Sequence, residues 1–305
     1  MRRVARAAFV GALVTLTCVA RAAPPLPAVA TIQPLGLLLR ELGGDRVAVA
    51  VLVPSGASPH TFEPQPSDVA ALARARLLVE AGGGLDGWVR ALRNAAESNP
   101  DGVVVLALPG LDPLPAVASG HGDAKPHDAG RRLDPHAWLD PIRVRDVVVP
   151  ALAARLIALD PAGRADYEAW RDAFIAKLTA LDTEIRATLA GHGRRFLAFH
   201  AAWRYFAQRY QLEEVGVIEE APGEEPTPRE LGALSRRARD AQVPAILIEP
   251  QLSPRIAEML ARDLGVALVT VDPNGDPADP ERASYEGLMR WNARAFARAL
   301  GGPAQ

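Results

Sequence analysis

Three of the six histidines in this 305-residue chain fall in segments rich in proline, aromatic and acidic residues. They are His60 in SGASPHTFEPQPSD, His136 in LDPHAWLD and His200 in FLAFHAAWRYF. A carboxylate, Asp272 in VTVDPNGD, ends an apolar run late in the chain. Three imidazoles and one carboxylate suit a borderline-soft divalent ion such as Zn²⁺, which takes nitrogen and oxygen ligands in four-coordinate geometry. Roughly two hundred residues separate the first of these positions from the last, so only a multi-segment fold can gather them. That spread suits a reversible carrier better than a zinc finger, whose ligands lie close together in sequence.

The acids beside these histidines have readings of their own. Asp134 and Asp140 flank His136 and are candidates to fix its tautomer from behind. Glu249 has the look of a cleft acid, although a structural role weighs more. His121 and His127 lie in the polar, Gly-rich stretch Ser119–Arg132 (SGHGDAKPHDAGRR), which reads as a mobile loop with solvated side chains. His192, just past Gly191, reads as a helix-end residue facing the C-terminal dipole.

Positioning these groups requires an alternating framework. Pro24–Pro27 should be an extended, loosely held lead. Ala28–Ile32 and Val47–Val53 read as strands, the second running into the turn-forming Pro54–Ala57 before His60. Leu77–Glu80 and Val103–Leu106 read as further strands, with helices at Leu35–Leu42 and Val69–Arg76 between them. Asp160-Pro161 looks like a helix start, with Asp as N-cap and Pro at the first helical position. From there Tyr167, Trp170, Phe174, Leu178, Leu181, Ile185 and Leu189 recur every three or four residues, a helical stripe. Phe196–Phe199, Ala245–Ile248 and Ala267–Val271 read as strands of a second half, with a helix over Ala201–Tyr210. The fold class is therefore α/β: two parallel-sheet lobes joined by one long rigid helix, with the metal site in the cleft between them. The divisions are a lobe over 23–159, a linking helix over 160–190 and a second lobe over 191–305.

The first 22 residues have the order of a secretory signal peptide: Arg2, Arg3 and Arg6, the apolar run Ala7–Ala20, then Ala20-Arg21-Ala22. Cys18, the one cysteine, lies inside this segment; lipid attachment there is the lesser reading, because Thr15-Leu16-Thr17 before it fits that use poorly, and cleavage after Ala22 would leave neither disulfide nor thiolate metal site. Its loss removes four arginines and no acid, moving the net charge from −2 to −6. An acidic mature chain does not suit a nucleic-acid partner. The expected compartment is the periplasm, and the expected state a monomer.

In order along the chain, TIQPLG at 31–36, GASPH at 56–60, SD at 67–68, DPHAWLDP at 134–141, FHAAW at 199–203, EPTP at 225–228, EPQ at 249–251 and DP at 272–273 resemble the zinc-type solute-binding proteins of bacterial zinc and manganese ABC importers. The resemblance covers essentially the whole chain after the signal segment. It implies a non-enzymatic carrier that delivers Zn²⁺ to an ABC importer's membrane permease. It also implies His60 and His136 from the first lobe, and His200 and Asp272 from the second, as metal ligands. Two departures stand out: Asn274 follows the late Asp-Pro where many members have Leu, and Ser119–Arg132 is short for a His-rich loop. A third histidine where a manganese-type member would show a carboxylate favours zinc. A manganese-type carrier, a surface adhesin or metal buffer, and a three-histidine zinc hydrolase are the alternatives. Against the hydrolase stand the absence of an HExxH motif and a fourth position filled by Asp272.

Overall fold

Short apolar runs alternate with amphipathic helices from the first described residues onward. The computed structural model describes residues 24–116, 132–219, 223 and 225–301. The signal segment with Cys18, and nearly all of Ser119–Arg132 with His121 and His127, lie outside them. Among the described residues, β1 (Leu26–Ala30), β2 (Val47–Val51), β3 (Leu77–Glu80) and β4 (Asp101–Val104) form one sheet in the order β2-β1-β3-β4. β5 (Arg195–His200), β6 (Glu213–Glu219), β7 (Ala245–Ile248) and β8 (Ala267–Thr270) form a second, in the order β6-β5-β7-β8. Every pairing in both is parallel. Both halves thus place their first strand second in the sheet and reverse direction beside it, which opens a crevice at the carboxyl ends of the strands.

The helices are α1 (Gln33–Gly43), α2 (Pro66–Arg74), α3 (Val89–Ala96), α4 (Pro141–Arg143), α5 (Val149–Leu159), α6 (Arg164–Leu189), α7 (Arg204–Tyr210), α8 (Pro228–Asp240), α9 (Arg255–Leu264) and α10 (Tyr285–Leu300). At 26 residues, α6 is a rod of roughly 39 Å. Its buried stripe is Tyr167, Phe174, Leu178, Leu181, Ile185 and Leu189, with Trp170 partly buried beside it. Asp182 is also buried there, held by Arg209 (2.9 and 2.6 Å) and Arg186 (3.2 Å).

The elements differ from the sequence reading in three instructive places. The proline-rich lead is not loose: Leu26 and Pro27 belong to β1, pair with Val47 and Ala48, and Leu26 is buried. A Pro is tolerated there because the strand start can spare a donor. Asp160 does not cap the long helix. A 3₁₀ turn, Pro161–Gly163, intervenes, and the Asp160 carboxylate accepts from Arg46 Nε (3.0 Å) and Tyr167 Oη (2.9 Å) instead. β6 has no clear strand signature in the sequence, because its acids, Glu213 and Glu214, obscure the apolar alternation of an edge strand.

The two halves share one core. A single cluster of buried side chains runs from Leu26 and Val79 at the first sheet through Trp138, Phe174 and Leu181 to Phe196, Leu247 and Phe296 at the second. Hydrogen bonds stitch the halves inside it. Trp138 Nε1 donates to the Pro273 carbonyl (2.8 Å), Tyr285 Oη to the Trp138 carbonyl (2.7 Å), and Tyr205 Oη to the Asp134 carbonyl (3.0 Å). Tyr285 also packs edge-on against Phe174 of α6 at 6.2 Å between centroids. Tyr285→Phe should therefore leave a buried carbonyl unpaired and cost about 1–3 kcal/mol. Thr183→Ala on the exposed side of α6 should stay within about 0.5 kcal/mol. Urea unfolding of both variants checks this; equal midpoints would mean that the Tyr285 bond contributes nothing.

Candidate metal centre

The crevice gathers residues that end strands or follow them. His200 is the last residue of β5, and Glu249 directly follows β7. His60 lies in the loop after β2. There Ala57 N donates to the Pro54 carbonyl (3.1 Å) and Thr61 N to the Ser58 carbonyl (3.4 Å), two turns that bracket the histidine. Phe62 anchors the loop against Trp88 at 4.9 Å between rings. His136 opens a 3₁₀ turn, Ala137–Leu139. Its segment is pinned by Asp134 N to the Leu114 carbonyl (2.8 Å), and Gly83 admits it. At φ +64° that glycine lies so close that a β-carbon would sit 2.9 Å from the Leu133 oxygen, so a side chain there would push the histidine segment away.

The three imidazoles meet. Ring centroids are 5.6 Å apart for His60–His136, 4.9 Å for His60–His200 and 5.0 Å for His136–His200. One nitrogen from each can be chosen so that all three lie within 4.8 Å of one another. They line a cavity of about 10 Å³ together with Ser58, Glu249, Gln251 and Asn274, room for about one atom-sized occupant.

Carboxylates aim two of the rings. His136 Nδ1 lies 2.8 Å from Asp134 Oδ1, and the same oxygen accepts the His136 backbone N–H at 3.0 Å. His200 Nδ1 lies 3.2 Å from both oxygens of Glu249, whose Oε1 also accepts from Trp203 Nε1 (3.3 Å). A buried carboxylate demands a donor, so in each pair Nδ1 carries the proton and Nε2 presents its lone pair. Asp140, the other flanking acid, does something different. It caps α4 by accepting from the N–H groups of Ile142 (2.9 Å) and Arg143 (3.3 Å).

The charges separate the histidines. Burial works to lower the His200 pKa, but the charge and hydrogen bond of Glu249 outweigh it and hold the imidazole above its ordinary value. Burial, and then the neighbouring His200 and His136, push His60 down to about 2. His60 is thus neutral, and its Nε2 is buried with no hydrogen-bond partner. Sequence reasoning passed over Glu214, which burial pushes up to about 7 against the opposing pull of Arg204.

Asp272 does not join the three histidines. It is buried, and its carboxylate is taken up on both sides. Oδ2 accepts from Arg282 Nη1 (2.6 Å), and Oδ1 from Gln251 Nε2 (2.9 Å) and Asn274 N (3.0 Å). It borders a separate cavity of about 340 Å³ with Arg282 and Trp291. A buried carboxylate is drawn to the nearest guanidinium, and Arg282, ten residues on in an irregular segment, was invisible to the motif reading.

A family profile described as zinc-uptake complex component A, periplasmic (ZnuA) matches residues 28–299. The manganese-binding lipoprotein MntA of Halalkalibacterium halodurans is 29% identical over 277 residues, covering 87% of this chain and 85% of that protein. The high-affinity zinc uptake system protein ZnuA of Bacillus subtilis is 28% identical over 283 residues, covering 90% and 88%. Among solved structures, a zinc-bound ZnuA deletion mutant superposes with a TM-score of 0.79 at 31% identity, covering 92% of this chain and 99% of that one.

The two aiming carboxylates should matter to affinity and the capping one should not. Asp134→Asn and Glu249→Gln are each expected to weaken divalent-metal binding about 10–100-fold. Asp140→Asn should change affinity little while costing at most about 1 kcal/mol of stability. Chelator-competition titrations with parallel thermal melts check this ordering.

Proposed function

The chain belongs to the ZnuA family of metal-binding, substrate-binding components of ABC importers, and from that premise we propose that it carries Zn²⁺ to an importer's membrane permease. The family is a transporter component and not an enzyme. The observation that carries the zinc reading is the convergence of three histidine nitrogens within 4.8 Å around an atom-sized cavity. Imidazole suits zinc, whereas oxygen-rich sites suit manganese. Relatives are named for manganese, zinc and iron, and the imidazole donors of this chain support the zinc reading. In this reading residues 1–22 are an export signal and the mature protein works in the periplasm as a monomer. Lobes 23–159 and 191–305 flank the linking segment 160–190, and His60, His136 and His200 hold the ion.

Calorimetric titration should give one tight Zn²⁺ per chain. His136→Ala should abolish or strongly weaken that binding, and His127→Ala should leave it nearly intact. Two equal tight sites, or equal effects of the two substitutions, would contradict the assignment.

The pH dependence follows from the imidazole environments. Zn²⁺ must displace a proton from His200, whose pKa is raised by Glu249. Affinity should therefore begin to fall above pH 6.5 and decline by about one decade per pH unit for that proton. His60, at about 2, adds no competing proton in this range. Affinities measured from pH 8 to 5 test it: a flat profile would argue against an imidazole site.

A further inference from the structure

We propose that the Tyr205 hydroxyl is a positioning group for His136: a side chain from the second half of the chain props open the backbone ladder that carries this histidine in the first. This rests on the metal-binding reading above and extends it to a residue outside the histidine set.

His136 is reached through a short antiparallel ladder. Ala116 N donates to the Arg132 carbonyl (2.9 Å) and Asp134 N to the Leu114 carbonyl (2.8 Å), on either side of the bridge between Pro115 and Leu133. In a regular ladder Leu114 and Asp134 would then exchange both of their backbone bonds, so Leu114 N would donate directly to the Asp134 carbonyl. The Tyr205 hydroxyl stands in that rung instead. Leu114 N donates to Tyr205 Oη (2.8 Å), and Tyr205 Oη donates to the Asp134 carbonyl (3.0 Å). The order of donors is forced, because an N–H can only donate and leaves the hydroxyl proton for the carbonyl. Burial pushes Tyr205 up to about 12, so that proton stays in place at neutral pH. The ladder is thereby splayed at Asp134, whose carboxylate takes both the backbone N–H and the Nδ1 of His136.

The hydroxyl can act as a spacer because its ring is held. Tyr205 is fully buried on α7, five residues after His200. The Arg143 guanidinium lies over the ring, 5.1 Å from its centroid, and also donates to the Leu111 and Asp112 carbonyls. Arg204, beside Tyr205, donates to the Pro115 carbonyl. Two adjacent side chains of α7 thus grip the ladder, while the strand before α7 ends at His200. One element therefore sets the spacing between two histidines that come from opposite halves. Without the hydroxyl, Leu114 N–H and the Asp134 carbonyl are left unpaired or close on each other, and closure draws Asp134 and His136 out of place.

Tyr205→Phe keeps the ring and removes only the hydroxyl. Tyr167→Phe, which loses a hydroxyl bonded to Asp160, is the matched control. Zn²⁺ affinity is read by chelator competition, and ligand geometry by the visible absorption of bound Co²⁺; thermal melts identify which variants fold. Tyr205→Phe is expected to weaken Zn²⁺ binding about tenfold and to alter the Co²⁺ bands, and Tyr167→Phe to do neither. Unchanged affinity or unchanged bands in folded Tyr205→Phe would overturn the proposal, as would an equal loss in the control. Should Tyr205→Phe not fold, amide hydrogen exchange of the wild type decides. Zn²⁺, by fixing His136, should slow exchange at Leu114 several-fold; equal rates with and without the ion would overturn the coupling. A wild-type protein that binds neither ion would instead remove the three-histidine reading, and this proposal with it.

Discussion

The site depends on an uncomfortable arrangement that only a rigid scaffold can hold: three imidazoles crowded within 4.9–5.6 Å of one another, with carboxylates behind two of them. Asp134 and Glu249 are buried, and each needs a donor that the apolar interior does not offer freely. Each takes an imidazole Nδ1–H, which fixes the tautomer and turns the opposite lone pair inward. His60 has no such support, and the desolvation that drives its pKa to about 2 also keeps it unprotonated. The converging lone pairs are a cost to the fold that a cation relieves.

That cost is tolerable because the crevice walls do not move independently. The apolar cluster is continuous between the sheets, and Trp138 and Tyr285 close hydrogen bonds across it. Trp138 lies next to His136, with ring centroids 5.1 Å apart. The residue that joins the halves is thus also in contact with a candidate ligand. With α6 packed along both halves, wide opening would have to expose this shared core, so local changes in the ligand-bearing loops are the softer motion.

Much of this was legible in the chain. The histidines could be picked out because each stands at a strand end or in a turn-rich loop, where α/β folds bind ligands, and the long apolar stripe announced α6. Interactions between distant residues were not legible. Asp160 looks like a local cap but answers Arg46, 114 positions away. Asp272 looks like a free carboxylate, yet a guanidinium in an unpatterned segment claims it. Asp134 and Asp140 look equivalent beside His136, and only backbone direction separates the one that reaches the imidazole from the one that caps a helix. The stripe Tyr285, Leu288, Met289, Ala293, Phe296 and Leu300 of α10 has helical spacing and could have been read.

The dimensions of the cavity also bear on what the protein does with its ion. A metal hydrolase needs an open coordination position and space beside it for a substrate. Here the histidines line a cavity of about 10 Å³, room for about one small occupant. Such a site is suited to holding an ion and giving it up. Of its three imidazoles, His60 makes the weakest commitment to the scaffold: it is partly exposed, sits in a loop rather than on a strand, and lacks a carboxylate partner among the described residues. Withdrawing His60 breaks fewer protein contacts than withdrawing His136 or His200, whose rings are tied to buried anions. Two firmly aimed donors and one lightly held one is a combination in which binding strength and release need not oppose each other.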